Sequence, residues 1–429
     1  MRRSIPHLLA LALCLLLAAP ALAQEGGGDA PPGEGDRARG ETMSPIVAKK
    51  LQAIQEAMQG EKTDVAQKLL GELAQRRGLR PIEQATIYML YGYIANERED
   101  TPKAIAYFKK AIELDVLPLS QQFNLEWSIG QLYATEGRFD KALEVQREWL
   151  KKAMKPDSPV RPQGSHFYMF ALSYMQLDPP QPQNAQRPAE IAVNSTEEPQ
   201  ENWLRLLGQV YYTRGDYAKM AEVLEKLVVL YNKPEYYTQL SGAYAESGQE
   251  KKALAVLQLA YSGGLLKKER EVIQLARMYL YHEMPHRAGA VLQKGIKDGI
   301  LERDKTVNEL LSEAYIFSRD VEKAFDPLAA AAAQHEDGEL YMRLGQILIN
   351  KQVWDRADDA LGRAIAKGGL RDEGSAHILR GIARMNLNRW APAIASFNAA
   401  KRYDGAKDDA EAYLKFLDYR RRQVAALQG

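Results

Sequence analysis

The chain has 429 residues, of which 46% are hydrophobic, 26% charged and 8% aromatic. That is the balance of a soluble globular protein with ample apolar material for a core, and it excludes collagen-like, low-complexity and polytopic membrane chains. Lys and Arg number 57 against 56 Asp and Glu, which excludes the strongly basic footprint of a nucleic-acid binder.

Residues 1–23 read MRRSIPHLLALALCLLLAAPALA. Arg2 and Arg3 form a basic start, Leu8 to Ala19 an apolar run, and Ala21-Leu22-Ala23 a small-x-small cleavage site, which together predict a signal peptide cleaved after Ala23. The run of 12 residues is too short to cross a bilayer, which takes about 20. Leu13 stands before Cys14 where lipoprotein signals carry a small residue, and Ser4-Ile5-Pro6 lacks the rest of a twin-arginine pattern. Cleavage removes both arginines and the single cysteine, leaving 55 basic against 56 acidic side chains. The mature chain can form neither a disulfide nor a thiolate metal site, which fits an oxidising bacterial periplasm.

Residues 24–43 follow as an acidic Gly/Pro tether whose only apolar residues before Met43 are two alanines; its composition predicts disorder. Ser44 and Pro45 then read as the cap and first turn of a helix.

Beyond that point one pattern recurs. QLYATEGRFDKALEV (131–145), QVYYTRGDYAKMAEVL (209–224) and QLSGAYAESGQEKKALAVL (239–257) each place a tyrosine, a turn glycine and a small or apolar residue at matching intervals. Aligned on the small residue, the chain gives Ala66, Ala104, Ala142, Ala253, Ala288, Ala324, Ala357 and Ala393, with Met220 standing in once. Four positions later stand Leu70, Phe108, Leu257, Leu292, Leu328, Leu361 and Phe397. The steps are 38, 38, 78, 33, 35, 36, 33 and 36 residues. The pattern resembles the tetratricopeptide repeat (TPR), a helix pair of about 34 residues. The expected fold is all-α, a right-handed superhelical TPR solenoid of about ten antiparallel helix pairs. Gly92, Gly130, Gly208, Gly345 and Gly381 recur on first helices, where we expect them to lie against the alanines of second helices. Each pair exposes an apolar face that only its neighbour covers, so the ends need caps; residues 406–429, with Ala410, Tyr413, Leu414, Leu417 and Val424 at helical spacing, read as the capping helix.

The expected organisation is an N-terminal TPR block over 44–175, a Pro-rich degenerate repeat or hinge over 176–200, and a C-terminal TPR block over 201–405. Prolines 179, 180, 182, 188 and 199 cannot share one unbroken helix, so the second helix of the fourth repeat is expected to shorten to about Pro188–Val193.

His282-Glu283-Met284-Pro285-His286 matches H-E-x-x-H, in which two histidines on adjacent helical turns hold zinc and the glutamate activates water. A zinc peptidase is one reading of it. The register instead places it at an inter-helix turn, with Pro285 strengthening the turn and both histidines expected to face solvent. No phosphate loop, metal site, cofactor site or catalytic constellation is predicted.

By resemblance, TPR proteins bind peptides or partner domains on a concave face lined by first helices. The register places Asn124, Trp127, Gln131, Asn202, Arg205, Gln209, Tyr212, Thr238, Gln239, Arg277, Arg343 and Gln346 on that face. Amide and guanidinium groups there can donate to peptide carbonyls or a carboxylate, while Trp and Tyr supply amphipathic area.

Several phrases are more specific: Glu41-Thr42-Met43-Ser44-Pro45, Leu90-Tyr91-Gly92-Tyr93, Glu201-Asn202-Trp203, Glu235 to Gly242 (EYYTQLSG) and Ala366 to Leu370 (AKGGL). With the secretion signal they resemble periplasmic TPR proteins that accompany TonB–ExbB–ExbD systems. The resemblance implies a non-enzymatic periplasmic scaffold, an accessory to TonB-dependent energy transduction and nutrient (iron) uptake, with TonB, ExbB or ExbD components among its protein partners. The alternative is a scaffold for cell-envelope assembly or polysaccharide export. Neither reading involves nucleic acid or a membrane span in the mature chain.

Overall fold

The computed structural model describes residues 43–428, with side chains through Gln423. The expected signal peptide, and the tether as far as Thr42, lie outside the described residues. Within them the chain is wholly helical apart from its connections. It divides into two compact units, the first ending at Tyr231 and the second beginning at Asn232.

The first unit contains five helix pairs: α1 (Pro45–Gln59) with α2 (Thr63–Ala74), α3 (Pro81–Glu97) with α4 (Thr101–Glu113), α5 (Leu119–Thr135) with α6 (Phe139–Ala153), α7 (Gly164–Met175) with α8 (Pro182–Asn194), and α9 (Glu201–Arg214) with α10 (Tyr217–Tyr231). The second contains five more: α11 (Pro234–Glu246) with α12 (Glu250–Ser262), α13 (Glu269–Tyr281) with α14 (Pro285–Lys297), α15 (Lys305–Phe317) with α16 (Val321–Gln334), α17 (Glu339–Asn350) with α18 (Trp354–Lys367), and α19 (Glu373–Asn386) with α20 (Trp390–Ala400). Helix α21 (Lys407–Gln428) follows. The fold is the all-α repeat stack that the sequence pattern implies.

Eight of the ten described pairs are closed by a short turn whose conformation is shared. Glu61, Glu99, Gly137, Gly248, Glu283, Arg319, Gln352 and Asn388 sit in the middle of three-residue turns with φ between 55° and 76°. The next amide then bonds back to the fifth carbonyl before it, as from Arg138 N to Tyr133 O (2.9 Å) and Met284 N to Tyr279 O (2.7 Å). This satisfies end carbonyls of the first helix while reversing the chain.

The alanine register holds: Ala66, Ala104, Ala142, Ala253, Ala288, Ala324, Ala357 and Ala393 are all fully buried, as are Leu70, Leu257, Leu292, Leu361 and Phe397; Met220, expected to stand in on α10, is only half-buried, and its neighbour Ala221 takes the buried place. Each fully buried Leu or Phe contributes about 1.5–3 kcal/mol. The glycines act differently from the expectation. Gly92, Gly345 and Gly381 lie against the large residue sixteen positions on, not against the alanine; Gly130 faces Gln146 and the Ala142 carbonyl, and Gly208 faces Val223, fifteen positions on. A Cβ on Gly92 would stand 2.4 Å from the Phe108 ring, one on Gly345 2.5 Å from Leu361, and one on Gly381 2.5 Å from Phe397. The missing side chain is the space the partner's large residue fills.

Ser44 precedes α1 as expected, but its hydroxyl does not cap that helix. It donates instead to Glu83 Oε1 at 2.7 Å, while Glu83 Oε2 accepts from Arg80 N at 2.9 Å. The buried Glu83 carboxylate thus ties the start of α1 to the start of α3. Burial pulls its pKa up, and the Arg80 and Ser44 donors outweigh that and hold it below the ordinary value.

Residues 176–200 hold more regular structure than expected. Pro179 and Pro180 fall in a six-residue turn, Pro182 opens α8 and Pro188 lies inside it. The helix starts at Pro182, six residues before the shortened element predicted, and packs between α7 and α9. Tyr211 of α9 donates to Glu190 of α8 at 2.7 Å.

At the C-terminal end, Ala410 and Leu417 of α21 are buried and Tyr413 stacks on Phe397 with ring centroids 5.2 Å apart. The helix covers the last pair, as a cap must. The side chain of Val424 lies outside the described ones.

Candidate functional site

The face of interest is carried by the first helices of the pairs. Their second and third faces are consumed by the crossing with the second helix and by the adjacent pair, so only one stripe of each is left open.

In the first unit this stripe is clearest on α9. Asn202 is half-buried, Arg205 and Gln209 are exposed, and Tyr212 is 60% exposed. They recur at intervals of three and four residues and so line one face of the helix. The neighbouring Tyr211 turns the other way, buried and bonded to Glu190. Tyr212, at the C-terminal end of the stripe, makes an edge contact with Tyr217 of α10, centroids 6.2 Å apart.

On α5, Asn124 and Gln131 are half-buried. Trp127, expected to contact a partner, is instead only 8% exposed. Its ring packs 4.8 Å from Trp149 and 4.7 Å from His166, in a cluster that also holds Phe123 and Ala153. Trp149 Nε1 donates to Phe123 O at 2.8 Å. Burial holds His166 below the ordinary imidazole range, so it is neutral near pH 7 and behaves as an aromatic spacer.

In the second unit, Thr238 is half-buried and donates to Glu235 O at 2.9 Å, while Gln239 is exposed on the same helix. Arg343 and Gln346 are exposed on α17. Arg277 lines a shallow groove of about 380 Å³ formed along α13 with Arg270, Ile273, Gln274, Met278 and Tyr281. Of these six the repeat register points only to Arg277. Ile273 and Met278 look like core residues there, and Tyr281 is masked by the adjacent register tyrosine Tyr279. The signal the sequence carries for them is the spacing of Arg270, Ile273, Arg277 and Tyr281 at steps of three and four.

The H-E-x-x-H segment does not form its motif geometry. His282 ends α13, Glu283 is the left-handed turn residue with φ 56°, and Pro285 begins α14. The two histidines therefore belong to different helices rather than to adjacent turns of one. His282 is also not solvent-facing as expected: its Nε2 is buried, and its ring packs edge-on against Tyr281 at 5.2 Å. Among the described residues no group of three or more His, Cys, Asp or Glu side chains is placed to hold a metal ion, and no helix is long and apolar enough to cross a membrane.

Residues 51–115, spanning most of α1 to α4, match the family model described as tetratricopeptide repeat. No curated protein matches the chain. Among solved structures, it is similar to a tetratricopeptide repeat protein from Parabacteroides merdae (14% identity, 63% of this chain and 99% of that one, TM-score 0.37). It is also similar to a MamA protein (20% identity, 42% and 91%, TM-score 0.35). A third is YrrB, described as a TPR protein with an unusual peptide-binding site (18% identity, 44% and 89%, TM-score 0.35). The matched segment carries the tetratricopeptide repeat pattern, and the same left-handed turn and buried alanine recur in most of the helix pairs beyond it.

Proposed function

We propose that the protein is a non-enzymatic scaffold whose first-helix face binds a protein partner. The observation that carries this reading is the α9 stripe: an asparagine, an arginine, a glutamine and a tyrosine side by side, three of them exposed, with no role in the crossing beneath. Such groups combine donors for main-chain carbonyls with rigid amphipathic area, the composition that concentrates binding energy at interfaces.

The secretion signal and the resemblance to TonB-associated periplasmic TPR proteins support a finer form of it. The scaffold works in the periplasm, beside TonB–ExbB–ExbD components, in nutrient uptake. Affinity purification of the tagged mature protein from crosslinked cells, with an Arg205→Glu/Tyr212→Ala variant in parallel, tests both levels. Recovery of TonB, ExbB or ExbD with wild type but not with the variant is the expected result. Recovery of envelope-assembly or export proteins instead would replace the TonB assignment while keeping the face. Equal recovery of every partner by the variant would remove the α9 stripe from the account.

A further inference from the structure

The groove on α13 has a chemical character of its own. Its lining comes from a single helix at intervals of three, one, three, one and three residues, so all six side chains share one open stripe. Arg270 and Arg277 are both exposed and stand two turns apart, about 10 Å along the axis. Between and beside them lie the apolar parts of Ile273 and Met278, both half-buried, and the ring of Tyr281, which is 68% exposed. Tyr281 is held in place by its hydroxyl, which donates to Glu250 Oε1 of α12 at 3.0 Å.

Neither arginine is neutralised. Among the described residues no carboxylate comes within ion-pair distance of Arg270 or Arg277. In the last pairs of the same unit, Arg356 meets Asp326, Arg380 and Arg384 both meet Asp358, and Arg389 meets Asp355. Those arginines stitch helices together; the α13 pair does not. Gln274, set between them, likewise has an amide with no hydrogen-bond partner among the described residues.

We propose that the α13 stripe is a docking groove for an acidic, extended segment of a partner protein. This rests on the scaffold reading above and gives the partner its chemistry. The segment carries two carboxylates about 10 Å apart on one side, with an apolar side chain between them. In a polyproline II backbone, with three residues per turn and 3.1 Å per residue, positions i and i+3 meet that condition at about 9 Å. The carboxylates pair with Arg270 and Arg277, where the planar guanidinium fork suits bidentate contact. The apolar side chain lies on Ile273 and Met278 against the Tyr281 ring. An extended backbone also leaves main-chain groups for the free Gln274 amide, which a helical ligand, with its main chain already satisfied, would not.

The test is selection from a display library of random eight-residue peptides on the purified mature protein, on its Arg270→Glu/Arg277→Glu variant and on the Arg205→Glu/Tyr212→Ala variant. All are exposed positions, and circular dichroism checks that the folds match. The expected result is enrichment of peptides with Asp or Glu at i and i+3 around an apolar residue. Their affinity should fall at least about tenfold, or 1.4 kcal/mol, in the α13 variant, which should select Lys or Arg at those positions instead. Tyr281→Ala should weaken binding without changing the charge preference. Enrichment of other sequences, lost in the Arg205→Glu/Tyr212→Ala variant and indifferent to Arg270 and Arg277, would overturn the α13 groove and leave the scaffold reading standing. No enrichment on any form would count against both.

Discussion

Gly92 and Gly242 are both helix-interior glycines on first helices, one position apart in the repeat register, and their surroundings are opposite. At Gly92 a side chain would collide with the Phe108 ring at 2.4 Å, whereas at Gly242 nothing lies within 4 Å. The first points into the crossing with its partner helix, the second onto the face that no helix covers. The contrast generalises. In most pairs the crossing is filled by a buried alanine, a glycine, serine or alanine facing it and one large residue, and the opposite face of the first helix is more open. A fold that saturates one side of every first helix and leaves the other free presents a series of similar but individually variable stripes, which is what a binding scaffold needs.

Added side-chain bulk at the crossings and on the open face should have opposite effects. Ala253 is fully buried in the α11–α12 crossing, so Ala253→Leu should overpack it and cost about 1–3 kcal/mol; an unchanged thermal midpoint would contradict the register. At the α5–α6 crossing, Gln146 occupies the large-residue position with both amide atoms buried and unpartnered. Gln146→Leu, restoring what Leu257 or Leu361 supplies elsewhere, should stabilise by about 1–3 kcal/mol, read as a raised denaturation midpoint. Gly92→Ala should lose about 1 kcal/mol net, overpacking exceeding the helix-propensity gain. Gly242→Ala should gain about 0.5–1 kcal/mol, because only the propensity term operates there. If the two glycine variants moved the midpoint in the same direction, the distinction between closed crossing and open face would fail.

The smallest expected effect is on pH. Burial lowers the pKa of His166, and likewise that of His377. The unfolded chain then binds more protons than the folded one as pH falls below the unfolded imidazole value of about 6.5. Stability should therefore be fully present above about pH 7 and decline below about pH 6.5, and His166→Phe should flatten part of that decline in a series of thermal melts.

How far the sequence discloses this architecture depends on the kind of signal. The alanine register is legible because a close helix crossing accepts nothing larger, so the same residue type recurs at the same interval. The turns are legible only at Gly137, Gly215 and Gly248; elsewhere the same left-handed conformation is taken by Glu, Arg, Gln or Asn, whose presence carries no comparable signal. Helix α8 is obscured because its first turn and interior both hold proline and its connection to α7 is six residues long. At the site, α9 is legible because polar residues fall at helical spacing. Trp127 misleads because an aromatic on the same stripe can turn inward, and the α13 groove is missed because its floor is made of residues that look like core.

The proposed function requires partners to meet the first helices and not the second ones. Placing a photo-crosslinking amino acid at Gln209 on α9, and separately at the exposed Lys226 on α10, tests it directly in living cells. Protein adducts should form from position 209 and be absent or markedly fewer from position 226. Equal or stronger crosslinking from 226 would contradict the account.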